Sequence, residues 1–362
     1  MLAAVFALTV FGALLVWSAT RVELLDAGSD PTSFLGKHLL NVAIGAVLMV
    51  LAALPDYRVL RAYAPVAYVL ASIGLIAVLT PLGATINGSH SWIVLGGGIQ
   101  FQPSEFAKIA LVLGLAMMLG EPRDGEVAPR SNDIILALVA AAVMMGLIML
   151  QPDLGTTMVF VAVILGVLAV SGADLRWLSG LLAAGVIGSL LVWQMGLLED
   201  YQIARFTAFA DPSVDPRGVG YNANQALIAI GSGGLLGKGL FNGGQTAGHF
   251  VPEQHTDFIF TVAGEELGFV GGAVLLVLLG IVLWRGLRIA MACEDPYGRL
   301  VATGVVCWLT FQTFVNIGMT IGVMPITGLP LPFVSYGGTA TFAGMVAIGL
   351  LQGVRLRTRR YD

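Results

Sequence analysis

A series of long apolar runs, almost free of charge, constrains this chain more than any other feature. A helix needs about 20 apolar residues to cross a bilayer, and inside the hydrocarbon every backbone polar group must be paired within the protein. The runs lie near 3–19, 38–54, 62–80, 106–119, 133–150, 155–171, 176–196, 257–284, 300–322 and 339–354. They predict an all-α polytopic membrane protein, a single domain over 1–362 with about ten transmembrane helices. Composition agrees, with 57% hydrophobic and 11% charged residues. A net charge of −4 gives no reason to expect a nucleic-acid partner. The first run has no basic leader and no convincing cleavage site, so an uncleaved anchor is expected. Cys293 and Cys307 form neither a disulfide framework nor a metal spacing and are expected to serve packing.

Basic residues set an orientation, because cytoplasmic connections of membrane proteins are enriched in Arg and Lys. One side collects Arg58, Arg61, Arg123, Arg130, Arg176, Arg285, Arg288, Arg299, Arg355, Arg357, Arg359 and Arg360. The other holds Arg21, Lys37, Arg205, Arg217 and Lys238. Both termini are therefore expected in the cytoplasm, with 251–257 outside.

The unusual residues gather on that outer side. A long extracytoplasmic loop, 197–256, joins the seventh and eighth runs, far longer than ordinary helix links. Its apolar segments predict short amphipathic helices at the membrane surface. Within it, "GSGGLLGKG" (231–239) is no nucleotide-binding loop: the first glycine of that motif is replaced by Ser232 and the final Ser/Thr by Gly239. It reads as flexible turns, or as a backbone-amide cradle for a lipid-linked phosphate with Lys238 beside it. In "QPSEFAK", Glu105 and Lys108 stand one helical turn apart, as an ion pair or as substrate contacts. Asp153 in "QPDLGT" is a helix cap or a substrate contact, and Trp92 an interfacial anchor or a substrate contact.

The stretch "VPEQHTDFIFTVAGEELG" (251–268) concentrates the acids. Asp257 could cap the eighth helix, but capping does not explain Glu265 and Glu266, about 12 Å further along a helix. Ionisable residues in a span cost about 2.5–3.5 kcal/mol each on insertion scales and usually face a cavity or a partner. An outward-opening, water-accessible cavity lined by this helix, suited to a polar headgroup on a lipid tail, is the simpler account; Glu265 and Glu266 could instead hold the helix against its neighbours.

"NIGMTIGVMPITGLPLPFVSYGGTA" (316–340) resembles the signature of the SEDS proteins (shape, elongation, division and sporulation). "YQIARFTAFADPSVDPRGVGYNANQALIAIGSGGLLGKG" and the 251–268 stretch resemble its RodA branch more than its FtsW branch, and "QPSEFAK" and "QPDLGT" are shared. The likeness covers nearly the whole chain. It departs at Ser91, where many members carry Arg before the tryptophan, so no phosphate contact is assigned there.

This resemblance implies a peptidoglycan glycosyltransferase. Such enzymes polymerise lipid II, an undecaprenyl-pyrophosphate disaccharide-pentapeptide, into nascent lipid-linked glycan on the outer face of the bacterial cytoplasmic membrane. A class B penicillin-binding protein cross-links the product. The family's essential aspartate maps onto Asp257, and the acid and lysine of its fourth-span motif onto Glu105 and Lys108. Asp257 is then the base for the acceptor 4-hydroxyl, or the carboxylate that orients it. Arg205, Lys108, Arg217 and Lys238 are candidates for the pyrophosphate, Arg205 first. Glu253, His255 and Ser335, in the matched motifs, join Trp92 and Asp153 as candidate substrate contacts. No dedicated metal cage is visible, though a divalent cation, magnesium or manganese, could bridge pyrophosphate and a carboxylate. A flippase for lipid-linked precursors is the alternative, but it should carry polar residues along its whole path. A scaffold would leave Asp257 without a task. Small-residue faces at Gly264, Gly268, Gly271 and Gly272, and at Gly318 and Gly322, are candidate seats for the partner's single span, or serve packing within the bundle, the more so in the eighth run.

Overall fold

The structure, a computed structural model, describes residues 1–86, 89–95, 99–120, 128–196 and 219–358, with positions 203, 207 and 209. Its helices are α1 (Leu2–Asp26), α2 (Ser33–Ala53), α3 (Tyr57–Val78), α4 (Pro103–Leu119), α5 (Ser131–Met149), α6 (Leu154–Val170) and α7 (Leu175–Gln194). They continue as α8 (Val219–Ser232), α9 (Gly244–Ala247), α10 (Ile259–Glu266), α11 (Gly268–Ala292), α12 (Pro296–Thr320) and α13 (Gly338–Thr358). Every expected run holds a helix. Eight of them, α1, α2, α3, α5, α7, α11, α12 and α13, are long and apolar enough to cross a membrane. The remaining two, α4 and α6, have 17 residues each.

The chain forms two compact units. The second comprises Ala43–Leu182, Leu283–Phe311 and Gly338–Asp362. At its centre α4 packs against α3, α5, α6 and α13. Surrounded in this way, α4 buries even its polar residues Ser104, Glu105 and Lys108. A small antiparallel sheet was not expected from the sequence: β1 (Gly83–Ile86), β2 (Ser89–Leu95) and β3 (Ile99–Phe101), in that order. Trp92 pairs with Ala84, and Ile93 with both Gly83 and Phe101. "SHSWIVL" is β-branched and aromatic enough for a strand, but it is short and lies between long apolar helices, where its period is easily missed.

The first unit comprises Met1–Val42, Ala183–Val282 and Gln312–Gly337. Here the expected 257–284 span is broken. α10 ends at Glu266, and Gly268, at φ +65°, starts α11. The glycine-rich segment causes the break and repairs it. The amides of Lys238 and Gly239 donate to the carbonyls of Glu265 and Glu266 at 3.1 and 2.9 Å. The amides of Phe269 and Val270 donate to the carbonyls of Gly234 and Leu235 at 2.9 and 3.1 Å. The free carbonyls ending one helix and the free amides starting the next are thus both satisfied. The amides of 238 and 239 are therefore engaged by the protein's own carbonyls, which replaces the phosphate-cradle reading of this segment.

Two further expectations change. α8 does not simply lie on a surface: Ala226 and Ala229 are buried with Val251 and Phe258. The glycine faces are used within the chain. A β-carbon at Gly264 would meet Ile230 at 2.9 Å, one at Gly272 would meet Phe260 at 3.4 Å, and one at Gly318 would meet Met324 at 2.7 Å.

Candidate functional site

Residues 251–258 form a tight turn leading into α10. The amides of Thr256 and Phe258 both donate to the carbonyl of Glu253, and Thr256 Oγ1 donates to Glu253 Oε2 at 3.1 Å. Glu253 has φ +52°, a left-handed conformation that makes the turn possible. Gln254 anchors it from beneath: Nε2 donates to the carbonyls of Ala19 and Thr246, both at 2.9 Å. The N-cap of α10 is Phe258, with no side-chain cap bond, so Asp257 stands one residue before the cap position.

The turn is tied to the 316–336 segment through three consecutive carbonyls. The Tyr336 amide donates to His255 O at 2.9 Å. Ser335 Oγ donates to Thr256 O at 2.5 Å, and itself accepts from the Leu331 amide at 2.8 Å. Asn316 Nδ2 donates to Asp257 O at 2.7 Å. This holds the main chain on one side, while the Asp257 residue stays partly exposed. Gly328 faces the carboxylate: a β-carbon there would lie 3.5 Å from Asp257 Oδ2. The His255 ring packs edge-on to Phe34 at 5.3 Å and against Tyr336 at 5.7 Å. Burial there holds its imidazole below the ordinary value of 6.5, against the opposing pull of Glu253 and Glu23.

Glu265 and Glu266 are buried, and Glu266 borders a small pocket together with Ser18, Arg21, Phe241 and Thr246. Their exposures are 0% and 1%. Glu265 accepts from Lys238 Nζ at 2.7 Å, from the amides of Gln245 and Thr246 at 2.9 and 2.8 Å, and from Thr246 Oγ1 at 2.8 Å. Glu266 accepts from Ser18 Oγ at 2.6 Å. These acids staple α10 to α1, to α9 and to the glycine-rich segment. Lys238 is paired with Glu265 and also donates to Ser232 Oγ at 2.8 Å.

In the second unit, Lys108 Nζ donates to Glu105 Oε1 at 2.8 Å and lies 4.7 Å from the centre of the Trp308 ring. The lysine is wholly buried and Glu105 is 2% exposed. Asp153 caps α6, accepting from the Thr156 amide at 2.9 Å and from Thr156 Oγ1 at 2.7 Å. Trp92 is partly buried on β2. The first unit thus brings Asp257, Glu253, His255 and Ser335 together, and the second carries Glu105, Lys108, Trp92 and Asp153.

The profile of the FtsW/RodA/SpoVE cell cycle protein family matches residues 1–360. The chain belongs to this family. It is 39% identical to the peptidoglycan glycosyltransferase MrdB of Escherichia coli K12 over 355 residues, covering 98% of this chain and 92% of MrdB. Its fold matches the rod shape determining protein RodA of Thermus thermophilus with TM-score 0.71 at 31% identity, covering 100% of this chain and 96% of that one. It also matches a chain of a peptidoglycan synthase complex, described as coordinating polymerization and crosslinking, with TM-score 0.76 at 34% identity over 95% of this chain and 96% of that one.

In this FtsW/RodA/SpoVE-family chain, Arg205 and Arg217 lie outside the described residues, as do Arg123, Arg359 and Arg360. Among the described residues no three His, Cys, Asp or Glu side chains converge to hold a metal ion. These residues do not form a protein cage for a divalent cation. Two site residues were given no role from the sequence: Gln254, in a motif dominated by charges, and Asn316, which opens the 316–340 signature as a lone amide inside an apolar run.

Proposed function

We infer that this membrane protein is a peptidoglycan glycosyltransferase that extends glycan strands from lipid II. The carrying observation is Asp257: a partly exposed residue on a turn whose main chain is fixed by three consecutive hydrogen bonds. Asp257 takes the proton of the acceptor 4-hydroxyl as that oxygen attacks the donor's anomeric carbon. The bond to the pyrophosphate oxygen breaks, the centre inverts, and undecaprenyl pyrophosphate leaves with its charge. A pyrophosphate needs little protonation to depart, so the second carboxylate of ordinary inverting glycosidases is not required. Cations must balance that leaving group; Arg205 is proposed first, with Arg217 a further candidate. The names of the curated relatives favour transfer chemistry over a flippase.

The reading places the active face outside the bacterial cytoplasmic membrane, with both termini in the cytoplasm. It adds a lateral partner, a class B penicillin-binding protein that cross-links the strands, in keeping with the likeness to a synthase-complex chain. The test is glycan-strand formation from lipid II by the purified protein, with and without the transpeptidase. Strands are expected with the partner present. Their absence in both arms overturns the assignment.

A further inference from the structure

Asn316 sits in α12 within the apolar run "TFVNIGMT" and has no exposed surface. A side-chain amide offers two N–H donors and an acceptor, and burying it is unfavourable unless they are matched. Both donors are matched by main-chain carbonyls from different segments. Nδ2 lies 2.7 Å from Asp257 O and 2.7 Å from Leu329 O. Its Oδ1 has no hydrogen-bond partner among the described residues. The amide is thus oriented by what it holds. One held carbonyl belongs to Asp257. The other adjoins Gly328, whose open α-carbon faces the Asp257 carboxylate.

We propose that Asn316 is a positioning residue for glycosyl transfer: by holding both carbonyls it fixes Asp257 against the Gly328–Leu329 wall and so directs the carboxylate at the acceptor hydroxyl. The two preceding rungs, Tyr336 to His255 and Ser335 to Thr256, do not depend on it. Loss of the amide therefore loosens the turn at its last residue and leaves the rest held. A misplacement of about 1 Å at a reacting group can cost about a hundredfold in rate. The proposal rests on Asp257 being the base.

The experiment compares Asn316→Leu, Asn316→Asp and Asn316→Gln with the unaltered protein. Asn316→Leu removes the donors. Asn316→Asp keeps the shape but presents oxygen to two carbonyls. Asn316→Gln keeps the amide. Lipid II polymerisation gives kcat and KM, and hydrogen exchange reports on 251–258. For the first two variants kcat should fall by about ten- to a hundredfold with KM within about threefold, exchange should rise only in 251–258 and around Leu329, and Asn316→Gln should recover part of the rate. Unchanged kcat, a raised KM at unchanged kcat, or exchange rising across the whole chain would each overturn the proposal. Should Asn316→Leu not fold, the Asn316→Asp and Asn316→Gln pair decides by the same criteria. Asp257→Asn runs alongside: if it polymerises lipid II, the base assignment fails, while the exchange of 251–258 still supports or overturns the clamp.

Discussion

At the scale of single residues, the proposed base Asp257 is distinct from the side chains that hold its backbone, Asn316 and Ser335. Asp257→Asn keeps the size of the side chain but removes the base. It should insert and fold normally and lose about 10²–10⁴ in polymerisation rate, read from glycan formed by the purified variant. Near-normal strand synthesis would return Asp257 to a structural role. His255 gives a pH prediction. Its folded pKa lies below 6.5, so between those two values the unfolded chain binds a proton that the folded chain refuses. Stability should be full above about pH 6.5 and fall as pH drops through that window. Thermal melts in detergent should show the decline, and His255→Phe should flatten it. His38 is 1% exposed, and neither ring nitrogen has a hydrogen-bond partner among the described residues. His38→Leu should therefore leave the melting temperature unchanged or raise it, by up to about 2 kcal/mol of stability. A clear loss of stability would show that an ordered water answers those nitrogens.

At the scale of elements, the junction of α10 and α11 shows how polar groups survive within an apolar chain. The glycine-rich segment supplies carbonyls and amides where two helix ends leave theirs open, and it does so only at close range. Gly237 has φ +78°, and a β-carbon there would fall 2.1 Å from the Glu266 carbonyl oxygen. Gly237→Ala should therefore cost about 2 kcal/mol or more, visible as a lower melting temperature of the chain alone. On α4, swapping the charges (Glu105→Lys with Lys108→Glu) would restore a bare ion pair. It would not restore the contact of Lys108 with Trp308. The swap should stay inactive in strand synthesis at normal expression, whereas full activity would reject the site assignment of this pair.

At the scale of the whole molecule, its helices are apolar on most faces, and the arrangement depends on small residues that allow close approach. Gly318 lies against Met324 of its own chain, and the amides of Val323 and Met324 turn back onto its carbonyl. Gly318→Leu should thus destabilise the chain by itself, and co-purification with a transpeptidase should fall only in step with folding. A stable variant that has lost its partner would instead place Gly318 at the interface. Helices such as α7, with no buried residue, leave ample apolar surface for lipid or for a partner span.

The sequence alone determined what hydrophobicity and motif identity can carry. Among the described residues, each helix long and apolar enough to cross a membrane lies on one of the apolar runs, because a span must satisfy its backbone internally and so needs an apolar stretch. The motifs also named Asp257, Glu105 and Lys108 as candidates. What only the tertiary structure decided is which groups meet across long separations in the chain. For Glu265 and Glu266 the sequence left a cavity lining and a hold on neighbouring helices both open, because it shows their charge but not the distant partners Lys238, Thr246 and Ser18 that satisfy it. The same limit hid Asn316, 59 residues from the carbonyl it holds: a hydrogen bond acts over about 3 Å of space, and local pattern carries no record of which distant segments the fold brings within that reach.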